Sequence, residues 1–301
     1  MGKQSRARTP SRARLAEVRA AQARRERNRR LLIAIGAIVG VLVIAGGIVA
    51  LGMASGKKEG SGGPATAVSP EVVRAVTSVP ASVLDTVGVG DVNAVPKAIQ
   101  APALTADGKP RVLYVGAEYC PYCAAQRWGM VVALSRFGTW SGLGQTRSSS
   151  SDVFPNTATL SFHGATYTSD HISFTGYETT TNELSGGQYK PLDTLSAADE
   201  QIFTTYDRAP YVEGEGGIPF IDIGGAWAMS GSSFSPDVLS GKTHEQIAAA
   251  LSDPANPIAK AVDGSANAFT AAMCEVTKDA PASVCNASGV RAAAARLSGG
   301  Q

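Results

Sequence analysis

This chain of 301 residues has few aromatic residues, histidines and methionines. It contains three histidines, five methionines and 6% aromatic residues, with no His-rich or Met-rich tract. Copper-handling proteins commonly use such tracts, so their absence argues against that class without excluding it. We predict no cofactor and no metal ligand among His163, His171 and His244.

Basic side chains are depleted in most of the chain. Residues 1–30 hold 11 of the 27 Lys and Arg and two acids, Glu17 and Glu26, which leaves 16 basic and 23 acidic side chains elsewhere. A nucleic-acid-binding protein would carry its basic residues on the folded domain. We therefore predict no nucleic-acid partner, and a basic arm followed by an acidic body is typical of a membrane-crossing chain.

Residues 31–54, LLIAIGAIVGVLVIAGGIVALGMA, lack both charge and proline. About 20 helical residues span a bilayer, so the run predicts one transmembrane helix in the lipid bilayer. Because the basic residues precede it, residues 1–30 are predicted to be a cytoplasmic arm and the C-terminal domain to be extracytoplasmic in the cell membrane. A cleaved signal peptide is an alternative. Gly36 and Gly40 form a GxxxG pattern that would also suit helix pairing.

The remainder has an α/β order of elements, which predicts a central sheet covered by helices. We predict a flexible linker over 55–74, Gly/Ser/Lys-rich in its first half, a folded domain over 75–290 and a tail over 291–301. A first helix begins after Ser69, its N-cap, with Pro70 at the first helical position. The further predicted elements are a strand (110–118), a helix (123–140, stopping at Gly138), a hairpin (157–181), a helix (196–207, capped by Ser196), a second hairpin (216–231) and two helices (243–251 and 257–276).

Cys120 and Cys123 lie two residues apart, in CPYC, where the predicted strand turns into a helix. A helix N-terminus favours a thiolate and lowers the pKa of a cysteine there. Pro121 has no N–H to leave unsatisfied at this position. The pair is therefore predicted to be a redox couple. A zinc site would need two more ligands at matched spacing, and the pair would also suit a copper site or an inert structural disulfide.

Cys274 and Cys285 are the other two cysteines, and the chain has an even total of four. They enclose a helix end and a proline-containing loop. A disulfide here would close a 12-residue loop and contribute about 3 kcal/mol of stability. We predict a structural disulfide, and a second redox pair that relays electrons to Cys120 and Cys123 is the alternative.

Two segments resemble the thioredoxin superfamily. VLYVGAEYCPYC is similar to its active-site signature, and GGIPFIDIGG is similar to its cis-proline loop and the hairpin that follows. The resemblance implies a thioredoxin-like fold with a cis bond before Pro219, which would leave the Ile218 backbone free to pair with a substrate chain. Roughly residues 75–290, with HISFTGYE and the C-terminal cysteines, also resemble a membrane-anchored thioredoxin-like family of actinobacteria and archaea, catalogued as a domain of unknown function.

The sequence departs from the thioredoxin pattern in two places. Thioredoxin has a buried acid six residues before its first active-site cysteine, and Tyr114 stands there instead. Glu118 is nearer, either as a proton-transfer group or as a solvated acid at a strand end. In addition, 95 residues separate Cys123 from Pro219, which predicts an insertion over about 141–210 that holds the first hairpin and the 196–207 helix.

The aromatic residues beside the cysteines have two interpretations. Tyr119, Pro121 and Tyr122, with Ile218, are predicted to contact substrate, and the tyrosines would equally suit packing against the insertion. Trp128 is predicted to lie in the core.

These patterns predict a membrane-anchored, extracytoplasmic thiol–disulfide oxidoreductase in which Cys120, Cys123 and Pro219 are the catalytic residues. Its expected partners are exported proteins with cysteines and a membrane oxidase, of the vitamin K epoxide reductase-like type, or a reductase. CPYC resembles the active-site motif of glutaredoxins, but an exported domain would meet no glutathione pool. We therefore favour an oxidase or isomerase. A reductase, a non-catalytic binding module and a copper chaperone are the alternatives.

Overall fold

Helices and strands are mixed in this α/β fold. The computed structural model describes residues 65–213 and 216–299. The predicted arm (1–30), transmembrane helix (31–54) and the first part of the linker lie outside the described residues. None of the helices in the described ranges has the length and hydropathy needed to span a membrane.

The described residues form eight α-helices, one short 3-10 helix and thirteen strands. The helices are α1 (Pro70–Thr77), α2 (Ala81–Val87), α3 (Pro121–Ser135), α4 (Ala197–Tyr206), the 3-10 helix (Pro236–Leu239), α5 (His244–Ala250), α6 (Pro257–Val276), α7 (Ala282–Cys285) and α8 (Ser288–Gly299). The strands are β1 (Thr66–Ala67), β2 (Lys97–Ala98), β3 (Thr105–Ala106), β4 (Lys109–Gly116), β5 (Gly138–Ser141), β6 (Gly144–Arg147), β7 (Ala158–Ser161), β8 (Thr166–Ser169), β9 (Ser173–Glu178), β10 (Thr180–Ser185), β11 (Gln188–Pro191), β12 (Phe220–Ile223) and β13 (Trp227–Ser230).

β4 is the central strand of a six-stranded sheet. It pairs in parallel with β9, from Arg111 opposite Ser173 to Gly116 opposite Glu178. On its other edge it pairs antiparallel with β12, which forms a hairpin with β13. β2 continues the sheet beyond β13, and β3 pairs with the first residues of β4. The four main strands therefore stand in the order β9, β4, β12, β13.

Both faces of this sheet are covered by helices. Side chains along a strand point alternately to opposite faces. Tyr114 and its neighbours on one face join a core that contains Trp128 of α3 and Phe269 of α6. Leu113 and Val115 on the other face join a smaller cluster against which α4 packs. The continuous apolar run of β4, which predicted a buried strand, thus has a physical cause in this two-sided burial.

The helices α3 and α6 approach each other closely at Gly129. A Cβ atom at that position would lie 2.7 Å from Ser265 Oγ, so a larger side chain there would push the helices apart. Trp128, the neighbouring residue, is fully buried and donates its Nε1–H to the Ala158 carbonyl at 3.0 Å. The prediction that Trp128 belongs to the core is confirmed.

Most predicted elements of regular structure are present. Ser69 and Ser196 accept hydrogen bonds from the backbone N–H groups of Val72 and Asp199 and so cap α1 and α4. The hairpin predicted over 216–231 is β12 and β13, and helices 243–251 and 257–276 are α5 and α6. The helix predicted to stop at Gly138 ends at Ser135, because residues 138–141 pair with β8 instead.

The hairpin predicted over 157–181 is wrong. This stretch forms three strands that belong to three different sheets: β7 pairs with β6, β8 with β5, and β9 with β4. Alternating residues indicate a strand but do not say which strand it will pair with. As a consequence, the segment predicted as an insertion (about 141–210) includes β9, a strand of the central sheet.

Both predicted ends of the folded domain need correction. The linker was expected to reach residue 74, but β1 pairs with β6 and Val72 and Val76 are buried. The tail was expected from 291, but α8 continues to Gly299 and buries Ala293 and Leu297. Short apolar side chains in both segments pack against the edges of the core. The sequence did not predict this packing, because polar residues lower the average hydrophobicity of these segments.

Asp263 of α6 is a buried acid. It is fully buried, and neither carboxylate oxygen has a hydrogen bond within the described residues. Burial raises the pKa of Asp263 to about 8. The carboxyl group is therefore protonated in the folded protein at neutral pH, while an unfolded chain would ionise it near pH 4.

This difference predicts a pH-dependent stability that Asp263→Asn removes. Between about pH 4 and about pH 8 the folded state holds a proton that the unfolded state has released, so the free energy of unfolding falls as pH rises. One such group gives a slope of up to about 1.4 kcal/mol per pH unit. Urea unfolding at several pH values should show Asp263→Asn gaining on the wild type with rising pH. Parallel pH profiles would contradict the prediction.

Candidate functional site

Cys120 lies at the junction between β4 and α3. It is the N-cap residue of α3, with extended backbone angles (φ −72°, ψ 122°), and Pro121 is the first helical residue. The Cys120 Sγ atom accepts a hydrogen bond from the Cys123 backbone N–H at 3.2 Å. The sulfur therefore takes the place that a Ser or Asp side chain usually occupies at a helix start, where exposed N–H groups favour negative charge.

The two thiols differ in exposure. Both are free, with Cys120 5% exposed and Cys123 fully buried. The Cys120 thiol donates to the Ile218 carbonyl across 3.6 Å, and the Ile218–Pro219 peptide bond is cis. Ala117 and both cysteines form a small apolar cluster with Ile218 and Tyr119 at its edge. Cys120 is thus the sulfur that a partner can reach.

The two thiols also differ in acidity. The hydrogen bond from the Cys123 thiol, more than any other cause, lowers the pKa of Cys120. Burial opposes this shift, while the Cys123 N–H and the charge on Arg127 support it. Burial raises the pKa of Cys123 well above its usual value. Cys120 is therefore the more acidic thiol. Cys123 keeps its proton, which it shares with Cys120 in a hydrogen bond.

Two aromatic contacts connect the CPYC turn to the segment between α3 and α4. The Tyr119 ring stacks on Tyr189 of β11, with centroids 4.1 Å apart. The Tyr122 ring contacts Phe154 edge-on at 5.8 Å. Both tyrosines thus pack against residues of the segment predicted as an insertion, and Tyr122 stays 41% exposed.

The exposed large apolar residues of the described chain gather around this turn. They are Tyr122, Val153 (71% exposed) and Leu184 (47% exposed). Val153 precedes Phe154, the partner of Tyr122, and Leu184 stands opposite Tyr189 in the β10–β11 pair. These side chains form what we call the apolar rim: Tyr119, Tyr122, Val153, Phe154, Leu184 and Tyr189.

A fully buried ion pair lies behind the cysteines. Arg127 of α3 donates from Nε and Nη2 to the two carboxylate oxygens of Glu178, at 2.7 and 2.6 Å. Its Nη1 donates to Thr159 Oγ1, and its Nη2 also donates to the Ala117 carbonyl. Burial disfavours the guanidinium charge, but the Glu178 carboxylate raises the pKa of Arg127 well above its usual value. Removing one partner of such a pair costs about 3–5 kcal/mol.

Glu118 and Tyr114 are both buried beside this pair. Glu118 is 1% exposed and accepts a hydrogen bond from Ser161 Oγ at 2.7 Å, so the interpretation as a solvated acid is wrong. β7, which supplies Ser161, covers it. The Tyr114 hydroxyl has no hydrogen-bond partner within the described residues. A Cβ at Gly116 would lie 2.2 Å from that hydroxyl, so the glycine makes room for it.

Cys274 and Cys285 form a disulfide bond that joins the end of α6 to α7. Both belong to the main core, whereas Cys120 and Cys123 belong to a separate small cluster. No group of three or more His, Cys, Asp or Glu side chains suited to a metal ion occurs in the described ranges. His163 pairs with Asp193, and His244 contacts the carbonyl oxygens of Thr146 and Thr159.

Sequence reasoning missed Arg127, Glu178 and Gln126. Gln126 also lies inside α3, where it accepts from the Ser233 N–H and donates to Ser265 Oγ. The available signal was two adjacent polar residues in the otherwise apolar helix CAAQRWGMVVAL. A buried arginine requires an anion, and Glu178 at the end of β9 supplies it.

A family model described as a domain of unknown function, DUF929, matches residues 97–275. This range is more than half of the chain. The chain belongs to this family. The DUF929 match includes Cys120, Cys123 and Pro219 and ends between Cys274 and Cys285. No curated protein and no solved structure matches the chain significantly.

The hydrogen bond between the two thiols predicts different effects of two substitutions at Cys123. Cys123→Ala removes the donor to Cys120 and should raise the pKa of Cys120. Cys123→Ser keeps an O–H donor of similar size and should raise it less. The pKa is measured from the pH dependence of Cys120 alkylation by iodoacetamide, followed by mass spectrometry. Equal values in the two variants would show that the hydrogen bond has no such effect.

Proposed function

We propose that this protein is a thiol–disulfide oxidoreductase with a thioredoxin-like fold. The strand order β9, β4, β12, β13 supports the fold assignment, with β9 parallel and β12 antiparallel to β4. The positions of α3 and α6 on one face and α4 on the other also support it. The CxxC pair follows the central strand, and a cis-proline precedes β12, as in the superfamily that the sequence resembles.

The observation that carries the functional proposal is the asymmetry of the two cysteines. Cys120 is the less buried thiol and has a lowered pKa, and Cys123 is fully buried and has a raised pKa. A thiolate of low pKa is a good leaving group, so a disulfide that contains it is readily passed to a substrate. The asymmetry supports disulfide exchange through Cys120, and we propose that the exchange runs in the oxidising direction, as an oxidase or isomerase.

In the oxidising direction a substrate thiolate attacks Cys120 Sγ of the Cys120–Cys123 disulfide and expels the Cys123 thiolate, which takes up a proton. A second substrate thiolate then attacks the substrate sulfur of the mixed disulfide and expels the Cys120 thiolate. The substrate loses two electrons and two protons to form its disulfide, and the protein gains the two electrons. A membrane oxidase, of the vitamin K epoxide reductase-like type, reoxidises the pair. The reducing direction runs these steps backwards, from a Cys120 thiolate that Cys123 resolves.

The surroundings of Cys120 favour an extended polypeptide as the substrate. Ile218 is half-buried beside Cys120, and we expect its backbone N–H to pair with a substrate carbonyl. The apolar rim offers contacts for apolar side chains on either side of the substrate cysteine. Exported proteins that contain cysteines and have not finished folding present such segments. Tyr119, Pro121, Tyr122 and Ile218 are the proposed contact residues.

Exchange activity is the direct test of this proposal. Wild-type protein with its Cys120–Cys123 pair oxidised should form one disulfide per molecule in a reduced peptide with two cysteines, and Cys120→Ser should abolish this transfer. The Cys274→Ala/Cys285→Ala double variant is the control, which should lose about 3 kcal/mol of stability but keep the exchange rate of its folded fraction. Absence of exchange by the wild type, with peptide binding retained, would replace the proposal with a non-catalytic binding module.

The direction of exchange follows from the reduction potential, measured by equilibration with thiol buffers. A value between about −120 and −180 mV, the range of strong disulfide donors and isomerases, is expected. A value near about −270 mV would identify a reductase.

We further propose that the described domain is extracytoplasmic and tethered by one transmembrane helix at residues 31–54, with an N-terminal cytoplasmic arm. The support is the charge-free apolar run and its basic N-terminal flank. Alkaline phosphatase, which is active only outside the cytoplasm, should be active when fused after residue 60. Activity of a cytoplasm-restricted reporter at the same position would overturn the topology.

A further inference from the structure

We propose that Arg127 is a positioning residue that stabilises the reduced, anionic form of the Cys120–Cys123 pair, and that Glu178 limits this effect. The balance of the two charges then sets the reduction potential of the pair. This inference rests on the proposed thiol–disulfide exchange and assigns a role to two residues that do not take part in its bond changes.

Arg127 and Cys120 contact the same backbone carbonyl. The Ala117 carbonyl accepts the Cys120 backbone N–H at 3.2 Å and Arg127 Nη2 at 2.6 Å. Arg127 lies on the helix that Cys120 caps, two turns further on. The guanidinium therefore shares an acceptor with the Cys120 backbone N–H and helps to hold the turn that presents Cys120.

The guanidinium charge of Arg127 is buried. Arg127 is fully buried, so water does not screen its field as it would at the surface. The groups that face it are Glu178 from β9, Thr159 from β7 and Tyr114 from β4, whose ring centroid is 6.0 Å away. The other titratable groups around the ion pair are the two cysteines and Glu118, whose charge acts on Glu178. One positive charge thus stands among several potential anions.

The proposed reaction changes the charge of the cysteine pair. Reduction of the disulfide by two electrons and one proton gives one thiolate and one thiol, so the reduced pair carries a negative charge that the disulfide lacks. A nearby cation stabilises the reduced form and a nearby anion destabilises it. The charge on Arg127 lowers the pKa of both cysteines, and the charge on Glu178 raises that of Cys123. The two partners of one ion pair therefore act in opposite directions.

This opposition gives a test that separates electrostatics from damage to the fold. In Arg127→Met the equilibrium of the full-length protein with a glutathione buffer should shift at least ten-fold toward the disulfide, which corresponds to about 30 mV. In Glu178→Gln, which keeps an oxygen to accept from Arg127, it should shift toward the dithiol. The alkylation pKa of Cys120 should rise in the first variant and fall in the second.

The matched controls are Arg111→Met and Asp199→Asn. Arg111 and Asp199 form the other Arg–carboxylate ion pair of the described residues. Arg111 lies on β4, at the end of the strand away from Cys120. Neither substitution should move the potential. Shifts of the same sign in Arg127→Met and Glu178→Gln, or shifts as large in the controls, would overturn the proposal.

Two further outcomes remain interpretable. If Arg127→Met does not fold, Glu178→Gln decides alone, because no shift or a shift toward the disulfide would contradict the electrostatic role. The potential and the pKa are measured without a protein substrate. A wild type that shows no exchange would therefore remove the proposed function, while opposite shifts in the two variants would still establish the role of the ion pair.

Discussion

The buried ion pair of Arg127 and Glu178 constrains the three segments that build the site. It joins α3, which carries the cysteines, to the end of β9 and to the loop between β4 and α3. A buried charge that lost its partner would be strongly destabilising, so these segments have to meet in one arrangement. The parallel register that sets Gly116 opposite Glu178 provides that arrangement, because it brings the carboxylate to the level of Ala117. The position of Cys120 follows from the same contacts.

The segment between α3 and α4 surrounds the cysteine pair from two sides. Ser149 joins the two sides, because its N–H donates to the Tyr119 carbonyl and its hydroxyl accepts from Tyr189. Asn182 of β10 holds the β10–β11 pair against β6 through Thr146 Oγ1 and the Arg147 carbonyl. These bonds connect the apolar rim to the backbone beside Cys120. The length of the segment thus has a structural use at the site as well as in the sheet.

The sequence was sufficient to predict the local elements around the site but not the long-range pairing. The strand before Cys120, the cap and first proline of α3, and the Gly-Gly hairpin all depend on residues close together in the chain. The partner of β9 depends on the whole sheet, and the alternation in HISFTGYE predicted a strand without indicating that β4 was its neighbour. Arg127 illustrates the same limit. Its place in a helix could be predicted from neighbouring residues, but its partner Glu178 lies 51 positions away in the chain. Glu118 was misjudged for this reason too, since β7 covers it.

The unequal burial of the two sulfurs also bears on chemical damage. A peroxide that reaches Cys120 converts its thiolate to a sulfenic acid, which further oxidant would turn irreversibly into a sulfinic acid. Cys123, whose backbone N–H lies 3.2 Å from the Cys120 sulfur, can condense with the sulfenic acid and release water. The product is the same disulfide that the proposed exchange reaction would use. The geometry that activates Cys120 therefore also protects it from overoxidation.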